Sequence, residues 1–306
     1  MTAVNELRFR AMGSDSHLVV VGGPRGLLED AVRRIAQLER RWSRFIDNSE
    51  ICELNRRTGS DVAVSADTVL LVERAIEAWR LTGGGFDPTV LGAVLRAGYD
   101  GSFDEMCDNR AAVNSTSTLL IGCTDIRVDG QMVSLPAGTG FDPGGIGKGL
   151  AADIVIDEVL AGGAEGACVN LGGDLRVAGS SPQGESWTIA VEDPWTSEPI
   201  TFIGLRAGAV ATSTTLRRRW TVDGQPKHHL IDPATGDPST SDLVLTTVIA
   251  GEAWMAEVMA KAILLRGSER AFDIVDDRQM QALTIDVDGG QRTTSGFRQF
   301  TGAIAS

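Results

Sequence analysis

Six of the twelve residues from Gly138 to Gly149 are glycine, and the segment Phe141-Asp142-Pro143-Gly144-Gly145-Ile146-Gly147-Lys148-Gly149 runs straight into an apolar-periodic stretch, Leu150 to Leu160. Glycine lets the main chain approach a ligand closely, the N–H groups that open a helix act as anion donors, and Lys148 adds a full positive charge. A phosphate or pyrophosphate suits that combination. The pattern is not G-x-x-x-x-G-K-[ST], because Gly149 stands where the hydroxyl belongs, and no parallel βαβ unit accompanies it as a dinucleotide fingerprint requires. A glycine-rich turn with a surface lysine is the competing reading.

Two of the three histidines stand together in His228-His229-Leu230-Ile231-Asp232-Pro233-Ala234-Thr235-Gly236-Asp237-Pro238. The Asp-Pro pairs fix a rigid loop, and imidazole titrates near neutrality, so proton transfer is one reading and a histidine satisfied by a backbone carbonyl the other. Glu257 and Lys261 lie at i and i+4, on one helix face. Their neighbours Trp254, Met255, Val258, Met259, Ile263, Leu264 and Leu265 leave that helix little solvent face, which favours a pocket-lining pair over an exposed one. Arg217-Arg218-Arg219 before Trp220 suits a phosphate or a ring, or equally an exposed strand edge.

The elements that must position these groups alternate irregularly. Strands are expected at His17–Val21, around Leu119–Ile121, Ile126–Val128 and Met132–Leu135, and then at Ala167–Asn170, Trp187–Val191, Ile200–Leu205, Ala209–Thr212, Leu243–Ala250 and Ala282–Val287. Helices are expected through Leu28, Ala31, Ile35, Leu38 and Trp42; from the N-cap Ser65 to Gly83; over Leu150–Leu160 and Ala253–Leu265; and over Glu269–Val275. Residues 101 to 117 read as a polar excursion. With no repeat and no long linker, one α+β unit is expected, not a doubly wound sheet.

The 306 residues carry 28 basic and 41 acidic side chains, a net charge of −13, which argues against a sequence-independent hold on nucleic acid or an anionic membrane. No stretch reaches the length of a membrane span, and Met1 to Ser16 lacks a secretory pattern, so a cytoplasmic protein without membrane insertion is expected. Cys52, Cys107, Cys123 and Cys168 are widely spaced and read as buried free thiols.

Taken in order, several blocks resemble the ApbE family of FAD:protein FMN transferases. They are Ala11-Met12-Gly13-Ser14; Trp42 to Phe45 with Ser49-Glu50-Ile51 and Leu54-Asn55; Gly85-Phe86-Asp87-Pro88-Thr89-Val90; Asp142 to Asp153; and Asn170-Leu171-Gly172-Gly173-Asp174. Val210 to Ser213, His229 to Gly236, and Val248 to Ala250 before the Glu257 helix extend the match over roughly residues 5 to 287. The resemblance implies an α+β fold of mixed, mainly antiparallel sheets with packed helices, T-fold-like and two-lobed within a single unit over 1–306. It implies transfer of FMN from FAD, the substrate, to a threonine or serine hydroxyl of an acceptor protein, with release of AMP. Carried over by position, Met12, Phe45, Gly85, Phe86, Asp87, Asp142, Gly145, Ile146, Lys148, Ser213 and Leu230 would bind FAD. His229 and Asp232 are candidates to orient or deprotonate the acceptor hydroxyl.

The family typically uses magnesium, held by an aspartate and, four residues on, a threonine of the late helix with a main-chain oxygen of the glycine loop. Glu257 and the main-chain oxygen of Gly145 or Gly147 are the corresponding ligands here, but Lys261 stands in place of the threonine and cannot ligate a cation while protonated. Its ammonium is expected to take part of the metal's space, held by Glu257, with weaker magnesium dependence as the consequence. Hydrolysis of FAD to FMN and AMP, and FAD binding without turnover, are the rival activities.

Overall fold

The Met12-Gly13 dipeptide turns the chain with both residues at positive φ, 50° and 64°, the backbone of a tight two-residue hairpin. It joins strand Val4–Ala11 to strand Ser14–Val21. The first strand is additional to the sequence expectation; its outer apolar residues Val4 and Leu7 stay exposed, so burial gives it no clear pattern. In this computed structural model the described residues are 2–101, 122–276 and 278–301. The strand expected near Leu119–Ile121, most of the 101–117 stretch and Cys107 lie outside them.

Among the described residues the α-helices are α1 (Leu27–Trp42), α2 (Glu50–Arg56), α3 (Ala66–Leu81), α4 (Leu91–Arg96), α5 (Gly147–Ala161) and α6 (Ala253–Arg266). The chain forms two compact units, one from Met1–Gln37, Lys148–Thr214 and Asp242–Ser306, the other from Leu38–Gly147 and Thr215–Ser241.

The first unit is built on an eight-stranded sheet. Its order is Val4–Ala11, Ser14–Val21, Gly166–Leu171, Asp174–Gly179, Gly208–Thr214, Leu243–Ala250, Gln281–Asp286 and Gln291–Thr293, with antiparallel neighbours throughout. All eight residues of Leu243–Ala250 are buried, so both faces of this central strand are covered, and its Thr247 hydroxyl meets that of its cross-strand partner Thr212 at 2.9 Å. Helix α6 packs on Gly208–Thr214, Leu243–Ala250 and Asp174–Gly179. It is apolar nearly all round, as a helix buried within a core must be, and each fully buried Leu or Ile side chain contributes roughly 2 kcal/mol. The helix expected over Glu269–Val275 does not form. Gly267 at φ 76° ends α6, and Asp273 and Val275 donate three residues back rather than four, giving turns.

The second unit holds a three-stranded sheet, ordered Asp61–Ala63, Met132–Ser134, Arg127–Asp129, and the hairpin Arg219–Val222 with Gln225–His228. Ser65 caps α3 as expected, accepting the Thr68 N–H. Ala93, Val94 and Ala97 around α4 form a core with Trp220, Val222 and Ile231. This contact ties the loop that carries His229 and Asp232 to the segment that follows Asp87.

Candidate active site

In the first unit, sheet register brings several expected site positions to one end. Ser14 follows the Met12–Gly13 turn, Ser16 pairs with Leu171, Leu171 with Asp174, and Leu175 with Val210. The Met12 turn, the Gly172-Gly173 turn and Ser213 therefore share that end of the sheet. Gly172 needs its glycine: at φ 68° a Cβ would meet the Ser14 side chain at 2.6 Å, with the Lys148 stem just beyond at 3.8 Å.

Lys148 opens α5 and sits between two carboxylates, with Nζ 2.5 Å from Asp174 Oδ2 and 2.7 Å from Glu257 Oε1. Lys261, one turn after Glu257 on α6, donates to the same Oε1 at 3.1 Å, while Oε2 accepts the Gly149 N–H at 2.8 Å. Glu257 is fully buried, and each lysine side chain keeps 14% of its exposure. An exposed stabilising pair is thereby excluded. Burial alone would raise the Glu257 carboxyl, but Lys148, Lys261 and the Gly149 N–H outweigh it and bring it to about 2. Asp174 moves the other way, raised by burial and by the Glu257 charge against the pull of the lysines.

Backbone contacts hold this cluster in place. A Cβ on Gly149 would lie 2.4 Å from the Ala253 carbonyl oxygen, so α5 and α6 approach at a point only glycine permits. Asp153, nearly two turns into α5, accepts the Ala253 and Trp254 N–H groups at 2.8 and 2.9 Å, capping α6 from a distant segment. Arg176 pairs with it at 3.2 Å. Burial nevertheless pushes its carboxyl up to about 7, against the pull of those N–H groups and Arg176.

In the second unit Asn55 clamps the entry to the glycine loop, its Oδ1 accepting from Phe141 N at 2.7 Å and its Nδ2 donating to Phe141 O at 2.9 Å. Asp142 donates its N–H to Pro88 O, accepts the Gly144 N–H on Oδ1, and faces Arg44 at 3.6 Å. The Gly85–Asp87 loop and the glycine loop thus lie side by side. Phe86 is buried, and Asp87 accepts the Thr89 N–H and hydroxyl, its carboxyl raised by burial. Ile146 is wholly buried, while Gly145 closes a short 3-10 turn. Arg44 lies over Phe45 at 4.1 Å and Tyr99 at 4.6 Å, Tyr99 stacks on Trp220, and Phe45 stays 42% exposed.

His228 follows the plainer of its two readings. Its Nε2 lies 3.0 Å from the Ser239 carbonyl, which can only accept, so Nε2 carries the proton and Nδ1 accepts the Leu230 N–H. Burial lowers its pKa, in keeping with a neutral ring. His229 is half-buried, Leu230 is buried, and Asp232 uses Oδ1 to accept the Ala234 N–H at the turn.

A model of the ApbE family matches residues 12–284. The chain belongs to the ApbE family. It is 28% identical over 278 residues to the FAD:protein FMN transferase of Vibrio cholerae, covering 88% of this chain and 80% of that one. It is 29% identical over 297 residues to that of Treponema pallidum, with the same shares. Among solved structures, the ApbE protein of Thermotoga maritima matches with a TM-score of 0.87 and 28% identity over 98% of this chain and 99% of that chain. The flavin transferase ApbE of Vibrio cholerae matches with a TM-score of 0.84 and 26% identity over 98% and 100%.

Within this ApbE chain the donor set at Glu257 does not fit the magnesium that the family resemblance implies. Magnesium takes oxygen donors at about 2.0–2.1 Å in a near-octahedral set. Both Glu257 oxygens are engaged by two ammonium groups and an amide, and no cluster of three or more His, Cys, Asp or Glu side chains suited to a metal occurs among the described residues. A divalent ion about 4 Å from one ammonium would be repelled by on the order of 8 kcal/mol at an effective dielectric constant near 20. Sequence reasoning left two members of this arrangement without a role, Asp174 and the Asp153–Arg176 pair. Both carboxylates lay in the matched motifs, but the contacts that define their roles span the fold. No helix among the described residues is long and apolar enough to cross a membrane.

Proposed function

We propose that this chain transfers FMN from FAD to a threonine or serine hydroxyl of an acceptor protein. The acceptor oxygen forms a bond to the flavin-side phosphorus, the bond from that phosphorus to the bridging oxygen breaks, and AMP leaves with that oxygen. The hydroxyl proton passes to a base, for which His229 and Asp232 are the candidates. Such a reaction demands in-line positioning of a weak nucleophile and stabilisation of negative charge on the phosphoryl oxygens and on departing AMP.

The observation that carries the reading is the pair Lys148 and Lys261, two ammonium groups fixed on one buried carboxylate beside the glycine-opened helix α5, in a chain whose relatives bear the name FAD:protein FMN transferase. Lys148 and Lys261 offset phosphoryl charge without reorganising as the reaction proceeds. Met12, Phe45, Gly85, Phe86, Asp87, Asp142, Gly145, Ile146, Ser213 and Leu230 are assigned to holding FAD. Met12 and the exposed Phe45 suit ring systems better than phosphate, whereas the side chains of Phe86, Ile146 and Leu230 are buried and would support the loops from within.

The test is the intact mass of a purified flavin-acceptor domain after incubation with this protein and FAD. A gain of one FMN through a phosphoester, matched by equimolar AMP, is expected. AMP released without any mass gain would replace transfer by hydrolysis, and intact FAD throughout would refute turnover.

A further inference from the structure

Four charged side chains meet in the first unit, yet the arrangement differs from a carboxylate awaiting a cation. Glu257 already has cations: Lys148 and Lys261 both reach its Oε1, and Gly149 occupies its Oε2. We propose that Lys261, seated with Lys148 on Glu257, is a built-in substitute for a divalent ion, so that this chain engages the pyrophosphate of FAD without magnesium. The inference rests on the reading of the chain as a flavin transferase.

Three features of the geometry support it. Lys261 is placed by helix spacing, one turn from Glu257, and donates to a single carboxylate oxygen at 3.1 Å; an ammonium carries three N–H donors, so one such contact does not exhaust it. Its side chain is neither sealed in the core nor free in solvent, at 14% exposure, which suits a group that is held by a buried carboxylate and still meets a ligand. The seat is held from several elements. Asp174 holds Lys148 from the sheet, Gly149 holds Glu257 from α5, and Asp153 fixes the start of α6. A cation that arrives already positioned costs no reorganisation when charge develops, and a fixed ammonium needs no loading from solution.

The experiment uses the full-length protein, freed of metal by chelation, with FAD binding followed by equilibrium dialysis in chelator and in millimolar magnesium. Wild-type affinity is expected to agree within about twofold between the two conditions, and titration calorimetry with magnesium chloride alone is expected to show no saturable binding. Lys261→Met should weaken FAD binding in chelator by roughly tenfold or more, the worth of a lost charge-assisted contact. Lys261→Thr, which removes the same charge while Lys148 stays on Glu257, should weaken it likewise in chelator and regain nothing when magnesium is added. Should either variant fold poorly by circular dichroism, Lys261→Arg, which keeps the charge, is expected to bind without magnesium. Wild-type binding that tightens several-fold with magnesium would overturn the proposal, as would Lys261→Met binding like wild type in chelator. A wild-type protein that binds no FAD in either condition would instead refute the flavin-transferase reading, and the proposal with it, so the two failures read differently.

Discussion

Replacing Glu257 by glutamine removes the one negative charge shared by two half-buried ammonium groups while keeping the side chain's shape. Glu257 is fully buried and accepts from Lys148 at 2.7 Å, Lys261 at 3.1 Å and Gly149 N at 2.8 Å. A glutamine keeps one accepting oxygen, and its amide nitrogen must turn a donor toward either an ammonium or the Gly149 N–H. Removing one partner of a buried ion pair typically costs about 3–5 kcal/mol. The 14% exposure that each lysine retains places this case at the lower end, about 3 kcal/mol. The folded-state pKa of Glu257 is depressed to about 2, so its contribution is present above the unfolded value near 4.5 and is lost as pH falls through about 2. The stability gap between wild type and Glu257→Gln should therefore be full at pH 7 and shrink below about pH 4.5. Urea unfolding at a series of pH values measures it, with the Trp254 region of the first unit as fluorescence reporter. Asp174→Asn supplies the contrast. Its carboxyl is raised by burial and the Glu257 charge, so neutralising it should cost less than half as much. A Glu257→Gln penalty under about 1 kcal/mol, or a gap unchanged down to pH 3, would refute the reasoning.

Three further substitutions probe how the site is held. Asp153→Ala removes both caps of α6 and leaves Arg176 without its carboxylate; a loss of about 3 kcal/mol in urea unfolding is expected, with weaker FAD binding because Glu257 and Lys261 lie on the same helix. Gly149→Ala drives a methyl to within 2.4 Å of the Ala253 carbonyl oxygen, and because backbone must move, thermal unfolding should show a loss of at least about 2–3 kcal/mol. Asn55→Ala deletes both hydrogen bonds to Phe141; about 1–3 kcal/mol of stability should go, with faster hydrogen exchange in the 141–146 segment and a higher Kd for FAD.

Elements governed by nearby residues were legible in the sequence. The α1 stripe Ala31, Ile35, Leu38 and Trp42 is buried as its spacing requires, Ser65 caps α3, and the run Leu243–Ala250 is a strand fully buried on both faces. Helix α5 begins at Gly147, where the glycine loop gives way to apolar periodicity. Strand Val4–Ala11 and helices α2 and α4 were not legible: the strand leaves Val4 and Leu7 in solvent, and each helix spans seven residues or fewer, too short to establish a period.

The charged cluster divides along the same line. Glu257 and Lys261 are four residues apart, so one helical turn suffices to pair them, and their apolar neighbours already signalled burial. Lys148 and Asp174, 26 positions apart, meet only because strand Gly166–Leu171 folds back through the Gly172-Gly173 turn and places Asp174 opposite Leu171. Asp153 caps α6 across 100 positions and Glu257 meets Gly149 across 108. The last two contacts are made by otherwise unsatisfied helix N–H groups, a requirement that arises only once the helices have packed. A motif can therefore hold the right residues while leaving their partners unnamed. Here the partners decide the chemistry: a carboxylate that looks like a metal ligand in its own helix becomes, with Lys148 beside it, the counter-charge for two lysines.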